Sequence, residues 1–165
     1  MAGRSALPRL QDSVWDRLID PSPARGEGVG SSELSEMERI KNAVRRDLEW
    51  LLNSRRPPLD IPEGMDALKT SLVMYGLPDF TGITSGDTDE RDRLQKALEQ
   101  AIRDFEPRLA DVKVTFDPGD QDRARAALHF RVSALLRLDP APEPIVFDTA
   151  LDLSNRAFSV RRDRV

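Results

Sequence analysis

Glu106 and Arg108 flank Pro107 in the stretch Phe105-Glu106-Pro107-Arg108-Leu109, and their spacing suits electrostatic contact. Proline disfavours helical geometry in the residue before it, so Glu106 is expected to be extended. Residues two apart in an extended chain point the same way. The acid and the base should therefore leave the backbone together and face outward, with Pro107 fixing φ between them. A stiff bipolar corner of this kind suits docking. The alternative is that Arg108 offsets the dipole at a helix C-terminus while Glu106 is solvated.

Catalytic chemistry finds less support. Glycoside hydrolysis needs two carboxylates at a set separation, one of them protonated in an apolar site. The chain has 29 Asp and Glu, and Glu49 and Glu106 have the most apolar surroundings. Arginines adjoin both, which disfavours a proton-donating role. His129 lies in mid-strand on the polar side of an alternating pattern, and no serine sits at a nucleophile elbow, so a surface histidine is expected. One histidine and no cysteine exclude a multi-histidine or thiolate metal site and a disulfide framework. Gly26, Gly28 and Gly30 follow no strand, so they form no nucleotide fingerprint. The expectation is a protein with no catalytic residue, cofactor or metal.

The net charge of −4 mixes both signs along the chain, against the basic excess of a nucleic-acid surface. Arg4 and Arg9 precede no apolar run of the signal-peptide kind. No apolar stretch approaches the roughly 20 residues of a bilayer span. No nucleic-acid binding and no direct membrane insertion are therefore expected, and the location expected is the cytoplasm.

The elements that position these groups follow from hydrophobic period. Residues 1–10 read as a flexible N-terminus, 11–160 as one domain with a flexible Pro/Gly/Ser loop at 20–32, and 161–165 as a tail. Gln11 to Ile19 can form a short helix with Val14, Trp15 and Leu18 on one side. Leu34, Met37, Ile40, Val44, Leu48 and Leu51 define the apolar stripe of a long helix, with Trp50 beside it. Ser35 with Glu38 has capping-box spacing, and Ser32 is the other candidate cap. Arg45, Arg46, Arg55 and Arg56 gather at the basic end of this helix and offer a second contact surface. Ala67 to Tyr75 reads as a short helix with Leu68, Leu72 and Val73 inward, followed by a turn from Tyr75 to Phe80 pinned by aromatics. Asp87 or Thr88 caps the next helix, whose stripe is Leu94, Leu98, Ile102 and Phe105, and Asp89 can pair with Arg93.

Beyond the Glu-Pro-Arg corner the period falls to two. Val112, Val114 and Phe116 alternate with polar residues, as do Leu128, Phe130, Val132, Ala134, Leu136 and Leu138, then Ile145, Phe147, Thr149 and Leu151. A fourth, weak strand is expected near Ala157 to Val160. Short connections favour antiparallel neighbours. The fold class expected is α+β, with N-terminal helices packed on a small, mainly antiparallel sheet of three to four strands. Such a sheet has edges, whose unpaired N–H and C=O groups can accept a partner strand.

Five stretches together resemble one family. They are Ser13-Val14-Trp15-Asp16-Arg17-Leu18, Val44 to Asn53 (VRRDLEWLLN), Tyr75-Gly76-Leu77-Pro78-Asp79-Phe80, Phe105-Glu106-Pro107-Arg108-Leu109 and Phe147-Asp148-Thr149. In this order the chain is similar to the TssE family of type VI secretion baseplate subunits, themselves similar to a "lysozyme-like" wedge protein of contractile phage tails. The resemblance implies a structural role at the inner face of the membrane, between the TssF and TssG wedge and the TssB/TssC sheath whose polymerisation it initiates. It extends to TssK and the spike hub as neighbours. It implies protein-binding roles for Glu106, Pro107 and Arg108, beside the arginine surface that includes Arg45 and Arg46. The rival expectations are a peptidoglycan hydrolase, as the lysozyme label suggests, and a regulatory adaptor of the same fold.

Overall fold

A computed structural model describes residues 33–80, 87–118, 127–138 and 141–162. The expected helix at Gln11–Ile19, the loop at 20–32, the cap at Ser32 and most of the 161–165 tail lie outside the described residues. Helix α1 spans Glu33–Asn53 and helix α2 spans Thr88–Phe105. Strands β1 (Leu109–Asp117), β2 (Ala127–Leu136), β3 (Glu143–Asp152) and β4 (Phe158–Arg162) follow, paired antiparallel in the order β1-β2-β3-β4. This is the expected α+β class.

Each element forms for a local reason. Ile40, Val44, Leu48, Leu51 and Leu52 bury one stripe of α1, and Leu94, Leu98, Ala101 and Ile102 bury one stripe of α2. Asp87 caps α2, its side chain accepting from the backbone N–H groups of Asp89 and Glu90. Helix α1 begins at Glu33, so Ser35 lies within its span. Arg93 pairs with Glu90 rather than with Asp89, at 3.0 Å. In the sheet, alternation sends Val112, Val114, Leu128, Phe130, Val132, Ala134, Leu136, Ile145, Phe147 and Leu151 to one buried face. Helix α2 lies along β1 and α1 along β4, so the two helices together cover that face. A bulge between Ala110 and Lys113 bends the head of β1, where Asp111 takes a φ of +50° that aspartate tolerates.

Residues 54–80 depart from expectation. Instead of one helix from Ala67 to Tyr75 there are two short 3-10 turns, Asp66–Leu68 and Leu72–Met74. Leu68, Leu72 and Val73 are exposed, and Met74 is the buried member. The stretch that packs is the next one. Leu77 is fully buried, and its backbone exchanges hydrogen bonds with Ser54 and Arg56 beyond the end of α1. Gly76 makes this approach possible. Its φ is +104°, and a Cβ there would stand 2.5 Å from the carbonyl oxygen of Ser54.

Candidate functional site

The Glu-Pro-Arg corner forms where α2 ends. Glu106 closes the helix, its N–H bonding the carbonyl of Ile102, and adopts φ −120° and ψ 81°. The backbone is out of the helical region, as a residue before proline requires. Glu106 and Arg108 do share a side, because they bond each other. Arg108 donates from Nε to Glu106 Oε1 at 2.7 Å, and its backbone N–H donates to the same oxygen at 3.2 Å.

Their expected outward orientation is not what the structure shows. Glu106 is only 4% exposed, and the Arg108 side chain only 20%. From Nη2, Arg108 reaches across to Asp47 Oδ2 on α1 at 2.6 Å. Asp47 in turn accepts from Arg46 through Oδ1, and the Arg46 guanidinium stacks over the Trp50 ring at 5.1 Å. Tyr75 packs edge-on against Phe105 beside this network. The reason for the inward turn is that a buried carboxylate needs a paired cation, and Arg108 supplies one from two residues away. Of the three motif residues only Pro107 is exposed.

The electrostatics match this geometry. Burial opposes the charge on Arg108, but its hydrogen bonds and charge attraction to Glu106, and then to Asp47, outweigh burial and push its pKa up. Tyr75 is pushed above the usual phenol range, first by desolvation and then by the negative charges of Asp47 and Glu106.

The other arginines expected at a contact surface are dispersed. Arg45 donates to Glu49 at 2.8 Å and to the Val160 carbonyl at 3.3 Å. Arg55 donates to the carbonyls of Leu52 and Arg156, and Arg56 is half-buried. Glu49 and Glu106, the carboxylates considered for hydrolysis, are thus each paired with an arginine. His129 is half-buried on the outer face of β2, opposite Asp117 and Ala150.

The sheet edges are also less open than expected. On β1, Glu99 accepts from the Val114 N–H at 3.0 Å and Arg103 donates to the Val112 carbonyl at 2.9 Å, while the two side chains pair at 2.7 Å. On β4, the Asn53 amide donates to the Phe158 carbonyl at 2.9 Å and accepts from its N–H at 2.8 Å. Helix side chains thus occupy several of the main-chain groups that a partner strand would use.

Three of the five stretches singled out in the sequence therefore converge on one cluster: Arg46, Asp47 and Trp50 from the first, Tyr75 from the second, and Phe105, Glu106 and Arg108 from the third. A family profile described as baseplate wedge protein gp25 matches residues 38–141, well over half of the chain. The chain belongs to the baseplate wedge protein gp25 family. The match takes in both helices apart from the first residues of α1, and it reaches through β2, so the whole cluster of this gp25-family chain lies inside it. Membership makes the protein a component of a phage-tail-like baseplate. Neither the curated proteins nor the solved structures include a significant match. No helix among the described residues is long and apolar enough to cross a membrane.

Sequence reasoning missed the partners of the Glu-Pro-Arg corner. Asp47 was in view within VRRDLEWLLN, but its pairing with a residue 61 positions later has no local signal. Asn53, Glu99 and Arg103 read as ordinary polar helix residues, and only the packed sheet gives them their backbone partners.

Proposed function

We propose that this chain is the TssE-type subunit of a type VI secretion baseplate. In that role it links the TssF/TssG wedge to the TssB/TssC sheath and initiates sheath polymerisation, with TssK and the spike hub nearby, on the cytoplasmic side of the inner membrane. It works by contact and not by catalysis. The observation that carries the reading is the family match over residues 38–141. The ordered motifs add to it, and the ion-paired state of Glu49 and Glu106 favours assembly over hydrolysis.

In this reading the Glu-Pro-Arg corner serves as an internal brace. Its ion pairs join the end of α2 to the middle of α1, so the motif holds the surface that partners meet, and Pro107 is its exposed point. Charge reversal at Arg108 would therefore disturb folding as well as docking. The decisive experiment uses the intact chain. Co-expressed with TssF, TssG and the sheath subunits, it should co-purify with the wedge, and a strain lacking it should form no fluorescent sheaths until it is restored. Sheaths of normal number in the deletion strain, or failure to enter the wedge, would overturn the assignment. Release of fragments from purified cell wall, lost on removing one carboxylate, would establish the hydrolase instead.

A further inference from the structure

Strand β1 lies at one margin of the sheet, and the phase of its hydrogen bonds shows which residues face outward. Val114 stands opposite Val132, yet its N–H bonds Glu99 of α2 and not β2. In an antiparallel ladder, residues that exchange bonds with the neighbour alternate with residues whose N–H and C=O point away. Val114 and Phe116 therefore turn their main-chain groups to the outer edge. The Val112 carbonyl points there too, to Arg103.

Glu99 and Arg103 stand one helical turn apart and pair at 2.7 Å. Between them they offer this edge one acceptor and one donor, and they engage one group on each of Val114 and Val112. A strand running beside β1 would need both groups. The Arg103 side chain is 52% exposed, so rotation of two side chains into solvent uncovers the edge. The β4 margin is shut more closely, with both groups of Phe158 taken by Asn53 and the Val160 carbonyl by Arg45.

The uncovered edge of β1 is complementary to itself. A two-fold axis at Thr115 sets β1 antiparallel to the β1 of a second copy. Val114 then stands opposite Phe116 and exchanges N–H and C=O bonds with it, twice over by symmetry. On the outer face, exposed Lys113 stands opposite exposed Asp117, again twice. An axis at Val114 would also match the bonds but would set Lys113 against Thr115, so charge selects the register centred on Thr115.

We propose that Glu99 and Arg103 form an autoinhibitory latch over a homodimer edge. Closed, they keep the chain monomeric. Withdrawn, they let a second copy add at β1 in the Thr115 register, and one sheet then runs through both copies. This device is independent of the type VI assignment.

Sedimentation of the full chain tests it, with a monomer expected for the parent. Glu99→Ala with Arg103→Ala opens the edge. This variant should dimerise at least about tenfold more tightly, and its Val114 amide should exchange about tenfold faster in the monomer. Glu99→Gln with Arg103→Lys keeps an acceptor and a donor at the edge and should stay monomeric. Phe147→Ala, weakened in the core but still latched, should also stay monomeric below its melting temperature. The chain has no cysteine, so Thr115→Cys adds a single thiol. In the opened dimer the two thiols meet at a non-hydrogen-bonded pair with Cα atoms about 4.5 Å apart, and oxidation should join them. Ser159→Cys, on β4, should not cross-link. Adding Lys113→Glu sets acid against acid and should weaken the opened dimer by about tenfold. A monomeric opened variant, a dimeric parent with Val114 still protected, or equal dimerisation of Phe147→Ala would overturn the proposal. So would equal cross-linking at Ser159 and Thr115, or a dimer indifferent to Lys113→Glu.

Discussion

Arg108 bridges two acids that belong to different elements, Glu106 at the end of α2 and Asp47 in α1. Breaking a buried pair by removing one member leaves a charge uncompensated and costs roughly 3–5 kcal/mol. Arg108 is partly exposed, so Arg108→Met should lower unfolding stability by about 2–3 kcal/mol in urea. Adding Glu106→Leu should recover part of that loss, because the stranded carboxylate goes with it. An unchanged urea midpoint in the single variant would mean that the network does not hold the fold. Tyr75, the only tyrosine in the chain, gives a second readout of the cluster. Its folded pKa is raised, whereas the unfolded phenol titrates at about 10. The folded state therefore holds the proton longer, and the associated stability is present below the unfolded value and lost as pH rises through the folded one. Tyrosinate absorbance should appear only above pH of about 10, and Tyr75→Phe should flatten the alkaline loss of stability. A midpoint at or below the ordinary phenol value would contradict the placement of Tyr75 beside Asp47 and Glu106.

At the scale of elements, each helix does two things for the sheet. It covers the apolar face, and it lends side chains to the outermost strands. Asn53, the last residue of α1, meets both the N–H and the C=O of Phe158, as a neighbouring strand would. Replacing it with alanine should cost about 1–2 kcal/mol, since two main-chain groups lose their partner. The Phe158 amide should exchange faster with solvent, and the uncovered edge of β4 should increase self-association at high concentration. Unaltered exchange at Phe158 would show that Asn53 does not protect that edge. Any partner strand that adds beside Phe158, Val112 or Val114 must first displace Asn53, Arg103 or Glu99.

Among the described residues, one continuous core runs from α1 through the sheet to α2, while residues 57–73 stand outside it. These regions should respond differently to truncation. Phe147 is fully enclosed at the centre of β3, and Phe147→Ala should cost about 3–5 kcal/mol through lost burial and a residual cavity. Leu72→Ala should stay within about 0.5 kcal/mol of the parent, because Leu72 contributes area to solvent and not to the core. Thermal or urea unfolding of the pair separates core from exposed segment. Equal losses at both positions would mean that the segment is folded onto the core.

Much of this architecture was legible from period alone. The stripes of both helices, the Asp87 cap and the alternation of β1, β2 and β3 are set by neighbours within a turn or two residues, and the chain carries that information locally. The same pattern misleads at Leu68, Leu72 and Val73, whose spacing suits a buried helix face although all three are exposed and no core lies beside them among the described residues. Pro107 correctly announced an extended Glu106, yet the direction of the two charges depended on Asp47, which the chain brings close only when α1 and α2 pack. The open edges expected of a small sheet were likewise taken up by Asn53, Glu99 and Arg103 once the helices settled on it. Local residue order thus determined the elements and their apolar faces. Tertiary packing alone decided which charges are spent inside the molecule and which surface is left for a partner, because burial and pairing depend on groups far apart in the chain.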